Sequence, residues 1–331
     1  MWGPRRCLPG AARLRHLAGE STGSFVNRLA HFHGLDLGSF LDRVGEGRQP
    51  VNPRLPQLAE VYVNRTALSH LAVQAGRSRQ QLQRALPHLA ERFLLSGDGE
   101  GRWAWPFEPY EGHLVRCCDL CALARGAEET AWLVWPDSWR VCLRHLRFTD
   151  DSRGEGPEVV RLEGLPEVVR AHRERQRMER RFGAAGAGLF ADAFQVVVRW
   201  WTRTPDVWCW RQRASAAGVE VRVLRAAPLV IGPEAMKLAW EMLGFEQCGG
   251  RGHTERARWL KRVQQLVDGW GLDAEEGWSE LVQWLERHSQ AAPVAFAPPQ
   301  GRRRRRYRVL AVGHNRIAEH AGSLVKRSCL H

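Results

Sequence analysis

Two short pairs of metal-binding residues constrain this chain more than any other feature: Cys118 with Cys121, and Cys142 with His145. Each pair encloses two residues, the separation at which a tight turn directs both donors at one ion. Twenty residues separate the pairs, enough for a hairpin-like excursion. Three thiolates and one imidazole form a closed tetrahedral set, which suits Zn²⁺ and leaves no position for an activated water. We therefore predict one structural zinc ion per chain and no metal-dependent hydrolysis.

Cys117 leaves one ligand of this site open. It can replace Cys118 in the first pair, although a gap of three residues to Cys121 fits a zinc knuckle less well. The chain has eight cysteines in 331 residues, too few for a disulfide scaffold, and four of them lie between positions 117 and 142. This clustering indicates metal binding in a reducing compartment, so we expect a cytoplasmic protein.

Hydrophobic periodicity predicts a mainly α fold. Apolar residues recur at helical spacing from 19 to 93, glycines and prolines break up 95–151, and helical spacing returns after 158. We expect a helical N-terminal domain with a helix-turn-helix-like motif, a small zinc ribbon and a helical C-terminal region. The expected boundaries are a disordered extension over 1–18, a helical N-terminal domain over 19–94, a zinc-binding module over 95–151, a helical C-terminal domain over 158–290, and a proline-containing spacer with an arginine-rich tail over 291–331.

The C-terminal half shows five helical patterns and one strand pattern. The helical patterns cover 165–182, 190–201, 233–243, 254–270 and 274–288. Val219, Val221 and Val223 alternate with polar residues, which predicts a strand over 219–224. Several tryptophans recur at helical spacing and are expected to pack between the helices or to form a docking surface: Trp240, Trp259, Trp270, Trp278 and Trp284.

A helix-turn-helix pattern lies within the N-terminal domain. Residues 66–75 predict a first helix, Gly76 a turn, and Ser78 with Gln81 a capping box that starts a second helix. If the second helix enters a major groove, its outward side chains meet base edges or phosphates: Arg79, Gln80, Gln83 and Arg84. An ordinary helical hairpin with a solvated polar face has the same pattern, so both interpretations stay open.

The charge balance favours a polyanionic partner. The chain has 49 Lys and Arg against 36 Asp and Glu, a formal net charge of +13, which is typical of proteins that bind nucleic acid. Only three basic residues are lysines, so GC-rich coding is another explanation for the arginines. The charge is clustered, with six arginines over 170–181 and five over 302–306. The first cluster is expected to contact phosphates, to dock onto an acidic partner or to form a solvated helix face, and the second to bind nucleic acid.

Two function classes lack the residues that they need. No run approaches the ~20 apolar residues that span a bilayer, so no membrane partner is expected. No Ser-His-Asp order, phosphate-cradling glycine loop or cluster of acids can be assembled along the chain. We therefore expect a protein without catalytic activity.

Two motifs together resemble a known family. Near the N-terminus, Glu20 and Ser21 precede the segment Ser-Phe-Val-Asn-Arg-Leu-Ala at 24–30. This arrangement resembles the opening of TniQ domains, in which a Glu-Ser pair precedes a helix with the pattern Ser-aromatic-x-x-Arg-Leu-Ala. The zinc pairs, preceded by Trp135 and Trp139 at the second knuckle, resemble the zinc ribbon of the same family. The resemblance covers roughly 19–150, and the chain departs from it at two positions where the family often has proline: Asp119 and Leu143.

The resemblance implies a role in DNA transposition. TniQ proteins and the related TnsD target selectors have helix-turn-helix and zinc-binding parts and link a transposase machinery to its target, directly or through a guide-RNA effector complex. For this chain it implies DNA as a partner, together with transposase or ATPase components or such an effector complex. The alternative is a helical interaction or regulatory protein that binds other proteins and does not bind DNA directly.

Overall fold

The computed structural model describes residues 14–47, 60–97, 99–106, 109–127, 130–153, 159–247, 252–272 and 278–290. Several predictions lie outside these residues. They concern most of the extension over 1–18, the spacer and arginine-rich tail over 291–331, and the arginine run over 302–306.

Four helices form the N-terminal part, and each begins at a residue that caps it. Ser21, Asp36, Asn64 and Ser78 each accept a hydrogen bond from the backbone N–H three positions on, which satisfies a donor that the first helical turn leaves free. The helices are α1 (Thr22–Phe32), α2 (Leu37–Val44), α3 (Arg65–Gln74) and α4 (Arg79–Ala85). Two 3₁₀ turns follow at Pro87–Leu89 and Glu91–Phe93. Apolar faces of all four helices share one core with Trp103 and Trp105.

A small three-stranded sheet closes this part. Its strands are β1 (Glu46–Gly47), β2 (Tyr62–Val63) and β3 (Arg102–Ala104), in the order β1-β3-β2. A Cβ on Gly45 would overlap the backbone of Gly101, so a glycine is required where β1 begins beside β3. The segment after residue 95 is thus tied by β3 to the N-terminal helices.

Two further sheets surround the cysteine pairs. One is an antiparallel hairpin, and the other has three antiparallel strands in sequence order. The elements are β4 (His113–Arg116), α5 (Asp119–Leu123), β5 (Trp132–Trp135), β6 (Trp139–Cys142), β7 (Arg147–Asp150) and β8 (Val160–Arg161).

Seven helices make up the described part of the C-terminal half, and the described residues of the five predicted helical segments lie on or directly beside them. They are α6 (Pro166–Phe182), α7 (Ala184–Arg203), α8 (Trp208–Ala217), α9 (Ala227–Val230), α10 (Gly232–Gln247), α11 (His253–Gly269) and α12 (Trp278–Gln290). Positions 274–277 of the last segment lie outside the described residues. The prediction of a mainly α fold is confirmed. None of the helices in the described residues has both the length and the apolar character that a bilayer crossing requires.

The strand predicted over 219–224 is wrong. Gly218 ends α8 in the left-handed conformation with φ 65, a turn follows, and a 3₁₀ turn covers Leu224–Ala226. Val219 and Val221 pack against the C-terminal core, while Arg222 points outward toward Asp206. The alternation of apolar and polar residues therefore arises from an irregular segment on a packed surface, since no neighbouring strand pairs with it in the described structure.

Tryptophans dominate the C-terminal core. Trp259 and Trp284 are fully buried and stack at a centroid distance of 5.6 Å, which confirms that they pack between helices. Trp270 and Trp278 are partly buried against the same core. Trp240 is 37% exposed and lies at the edge of the packing.

Candidate metal centre and nucleic-acid interface

Four side chains from two separate turns converge on one point. Cys118 precedes α5 and Cys121 lies on its first turn, so the short helix places both thiols on one face. Cys142 ends β6, and His145 lies in the turn before β7. The ligand atoms of all four residues lie within 4.8 Å of one another. This group can hold a metal ion.

The distances fit a tetrahedral ion. The Nδ1 atom of His145 lies 3.4 Å from the sulfur of Cys118 and 3.3 Å from that of Cys121. It lies 3.6 Å from the sulfur of Cys142, which is 3.7 Å from the sulfur of Cys121. Around a tetrahedral Zn²⁺ with ordinary bond lengths, two sulfurs lie about 3.8 Å apart, and a sulfur and a nitrogen about 3.6 Å apart. The donor set and its spacing therefore both suit Zn²⁺.

Cys117 lies outside this group. Its side chain is buried in a small apolar cluster with Leu17, Ala122 and Ala131. Burial raises the pKa of its thiol to about 12, so the thiol stays protonated at neutral pH. The geometry places Cys118 beside the other three donors.

Burial and the local backbone act in opposite directions on the clustered thiols. Burial raises the pKa of Cys118 to about 12 and raises that of Cys121. Burial acts in the same direction on Cys142, but hydrogen bonds from the His145 backbone N–H and from the neighbouring thiols outweigh it, so the pKa of Cys142 is lowered. The turn therefore favours a thiolate at Cys142, the form that binds a metal.

The first cysteine pair is attached to the N-terminal segment. Strand β5, which pairs with β4 beside Cys118, accepts a hydrogen bond at the Trp132 carbonyl from the Ser21 N–H at 2.9 Å. The Trp132 N–H donates to the hydroxyl of Ser24 at 3.0 Å. The Val134 N–H donates to the Gly19 carbonyl at 2.8 Å.

The second pair is attached to the C-terminal helices. Alternate residues of the sheet β6-β7-β8, including Val141 and Phe148, share an apolar cluster with Val168 of α6. Trp139 packs against His172 of α6 at a centroid distance of 5.8 Å. The four donors therefore lie where elements bound to each half of the chain meet.

The Glu-Ser pair is structural. Glu20 is completely buried and accepts hydrogen bonds from the Leu17 N–H at 3.0 Å, the Ser24 hydroxyl at 3.1 Å and the Arg28 guanidinium at 2.7 Å. Burial raises the pKa of Glu20, and Arg28 partly opposes this effect. Glu20 and Ser21 hold α1 against β5, and neither side chain is exposed to a ligand.

Sequence reasoning missed a second buried polar contact, between Glu60 and His88. The Nδ1 atom of His88 lies 2.8 Å from one carboxylate oxygen of Glu60. The other oxygen accepts hydrogen bonds from the backbone N–H groups of Gly23 and Val61 at 3.0 and 2.9 Å. The carboxylate thus stabilises the positive end of α1. No spacing signal marks this pair, because its members are 28 residues apart.

Helices α3 and α4 occupy the two helical segments of the predicted helix-turn-helix pattern. Gly76 takes a left-handed conformation, φ 58, at the turn between them. The capping box is present: the Gln81 N–H donates to the Ser78 hydroxyl at 3.2 Å, and the Ser78 N–H donates to the Gln81 side chain at 3.0 Å. The start of α4 is confirmed.

The four candidate DNA-contacting residues differ in their surroundings. Arg79, Gln80 and Arg84 are exposed on α4. Gln83 is half-buried and donates a hydrogen bond to Glu91 at 3.2 Å. Glu91 also pairs with Arg65, and these two hydrogen bonds lower the pKa of its carboxyl, so a carboxylate lies beside the outer face of α4. Three of the four side chains are available to a ligand.

A comparison with protein families agrees with the sequence resemblance. The family model described as TniQ matches residues 11–147. No curated protein and no solved structure matches the chain. The matched segment contains α1 to α4 and all four clustered donors, and it ends before α6.

Proposed function

Because this chain carries a TniQ domain over residues 11–147, we propose that it is a DNA-associated, non-enzymatic accessory protein of DNA transposition that acts as a target-selection adaptor. The observation that carries the proposal is that one matched segment contains both two capped helices with the spacing of a helix-turn-helix and a group of four donors that can hold a metal ion. An adaptor needs a surface for DNA and a rigid connection to the surface that binds its partner, and these two features supply them.

The proposed metal is a structural Zn²⁺, one per chain, held by Cys118, Cys121, Cys142 and His145. The tetrahedral spacing of the donors supports this proposal. All four positions are filled by protein, so the ion supplies folding free energy and fixes the two turns, and it leaves no site for an activated water.

The proposed DNA contact is made by α4. Arg79 and Arg84 suit phosphates or guanine edges, and Gln80 and Gln83 suit adenine edges. Their exposure on a capped helix supports the proposal for three of them. Gln83 has to leave Glu91 in order to take part.

The proposed division of labour follows the expected domains. The N-terminal domain over 19–94 contacts DNA, the zinc-binding module over 95–151 connects the halves, and the C-terminal domain over 158–290 binds a protein partner. Transposase or ATPase components, or a guide-RNA effector complex, are the proposed partners. The solvent-facing Trp208, which is 66% exposed on α8, gives the C-terminal helices an anchor residue for such a contact.

One observation favours the alternative of a protein-binding adaptor without direct DNA contact. The carboxylate of Glu91 lies beside the outer face of α4 and already engages Gln83. A negative charge at this place repels phosphates and would be neutral or favourable toward a basic protein surface.

Metal analysis and DNA titration on the same samples test the proposal. Wild type should contain one zinc per chain and bind duplex DNA with salt-sensitive affinity, while Cys121→Ser should lose the zinc. Replacing Arg79 and Arg84 by glutamine should weaken DNA binding, whereas a control with Lys237 and Arg258, both exposed on other helices, should bind nearly as wild type. Zinc without DNA binding at low salt would support the protein-binding alternative, and absence of zinc would contradict the metal site.

A further inference from the structure

Helix α6 has two faces of opposite character. Five exposed arginines, here called the arginine stripe, lie within an arc of about 100° around the helix, because successive residues turn by about 100°. They are Arg170, Arg173, Arg177, Arg180 and Arg181. The opposite face is buried and includes Val168, Ala171 and Met178. The stripe therefore points directly away from the core.

Arg175, the sixth arginine of this segment, shows how the fold neutralises a charge on α6. Its guanidinium lies on the buried side, 2.7 Å from Asp137 and 2.6 Å from Glu179. It also lies over the rings of Trp139 and Phe190, at 5.0 and 4.3 Å from their centroids. This arginine has a structural role, since it connects α6 to the sheet β6-β7-β8 and to α7.

The stripe arginines lack such partners in the part of the chain that the structure describes. Within the described residues, none of them forms an ion pair with an acid. Arg180 donates to a backbone carbonyl of its own helix, and Arg181 lies over Phe182. Glu174 is the acid nearest in helical position, and it pairs with neither Arg170 nor Arg177 one turn away. The positive charge of the stripe is thus available to a negatively charged ligand.

The geometry of the stripe suits a phosphate backbone. Like charges three and four positions apart on a helix repel each other, and a row of phosphates relieves this repulsion. From Arg170 to Arg181 the helix rises about 16 Å, and one strand of B-DNA carries a phosphate about every 3.4 Å of axis. The stripe is therefore long enough to contact more than one phosphate of the duplex. Guanidinium groups bind phosphate oxygens through paired N–H donors.

We propose that the arginine stripe of α6 binds the sugar-phosphate backbone of duplex DNA, as a second contact surface in addition to α4. This inference rests on the proposed DNA-associated function and extends it to the C-terminal half. The contact is independent of base sequence, because only phosphates are bound. Helix α6 presents the stripe rigidly, since it packs against α7, α10 and the sheet β6-β7-β8.

The test compares two variants with the same loss of charge. One replaces Arg170, Arg173 and Arg177 by glutamine, which keeps helix propensity nearly unchanged. The control replaces Lys237, Arg258 and Lys261, three exposed basic residues of α10 and α11. Duplexes of two unrelated sequences are titrated by fluorescence anisotropy over a series of salt concentrations, with circular dichroism as a check on folding.

The stripe variant should bind both duplexes at least about tenfold more weakly than the control variant at low salt. The slope of log affinity against log salt should fall by about three, one for each phosphate contact removed. A variant with lysine at the same three positions should keep most of the slope, since the charges are retained. The single variant Arg177→Gln should lower the slope by about one, and it serves if the triple variant does not fold.

The failures of the two proposals differ. If the α4 variant binds weakly and the stripe variant binds like the control, the stripe inference is wrong and the proposed function stands. If wild type binds no duplex at low salt, both are overturned. If the stripe variant loses affinity for poly-L-glutamate or for single-stranded DNA as strongly as for duplex, the assignment to duplex DNA is overturned.

Discussion

The described residues up to 147 and those from 159 to 290 differ in how far buried polar groups add to their apolar packing. The first region has an apolar core shared by α1 to α4 and, in addition, buried polar groups with specific partners, such as Glu20 with Arg28 and the four clustered donors. The second depends chiefly on tryptophans and aliphatic side chains between helices. A polar contact requires particular residue types at particular positions, whereas an apolar core accepts many combinations of similar volume. This difference explains why the first region carries recognisable motifs and the second carries none.

The largest expected effect separates the two regions by their dependence on metal. Cys121→Ser should abolish binding of the proposed zinc ion and lower the free energy of unfolding of the candidate metal-binding region by several kcal/mol, because such an ion supplies much of the folding free energy of a small region. Helices α6 to α12 should stay resistant to proteolysis, since their core contains no residue of the donor cluster. Limited proteolysis with mass spectrometry measures this, and Cys209→Ser, outside the donor cluster, is the control. An equal loss of resistance to proteolysis along the whole chain would contradict the expected difference between the two regions.

A buried ion pair makes the comparison less absolute. Arg213 of α8 pairs with Glu234 of α10 through two hydrogen bonds of 2.6 and 2.5 Å, and Trp210 donates to the same carboxylate at 3.3 Å. Arg213→Met should lower the free energy of unfolding of the C-terminal region by about 3–5 kcal/mol, since it leaves a buried carboxylate unpaired.

Chemical denaturation checks this value. The double variant with Glu234→Met as well is the matched control, and it should recover part of the loss. If the single and double variants are equally unstable, lost packing rather than the unpaired charge is responsible.

The contact between the two regions should respond to pH through His172. Burial, together with the nearby Arg175, lowers the pKa of His172 to about 4 from its usual value of 6.5. The unfolded chain therefore binds a proton between pH 6.5 and pH 4 that the folded chain does not. Stability should be fully present above pH 6.5 and fall as the pH decreases through this window, by up to about 3 kcal/mol.

Comparison of wild type with His172→Phe isolates this contribution, because other titrating groups are shared. The difference in free energy of unfolding between the two proteins should change in favour of the variant as the pH falls from 7 to 4.5. A difference that stays constant over this range would show that His172 has no lowered pKa in the folded protein.

The smallest expected effect concerns the outer face of α4. Glu91→Gln removes the carboxylate beside Gln83 and should raise the affinity for duplex DNA about two- to threefold at low salt. Glu111→Gln, at a second exposed carboxylate that pairs with Arg92, is the control for the change in net charge. Equal affinity gains in both variants would show only a general charge effect.

Local features were predicted well because neighbours in sequence decide them. The start of α4 follows from Ser78 and Gln81, which cap the helix three residues apart. The members of each cysteine pair are brought together by one short turn or helix. That the two pairs lie close together was predicted from chemistry, because three thiols and one imidazole complete a tetrahedral set for one ion.

Contacts between distant segments were not predicted. The strand expected over 219–224 fails because a strand requires a partner, and the pattern of alternation does not identify one. The sequence also does not distinguish Arg175, which is neutralised by Asp137 at 38 residues' separation, from the stripe arginines beside it. The contact between Gln83 and Glu91 likewise depends on how the 3₁₀ turns fold back along α4.

By itself, the sequence of this protein predicted the mainly α fold, the capping box of α4, the donor set and the resemblance to TniQ domains. The tertiary structure alone decided that Glu20 is buried, that Glu60 meets His88, and that five arginines of α6 face solvent with no acidic partner among the described residues. The physical reason is the separation along the sequence of the residues that interact. Helix initiation and knuckle formation depend on residues within one or two turns, whereas burial and ion pairing depend on which distant surfaces pack together.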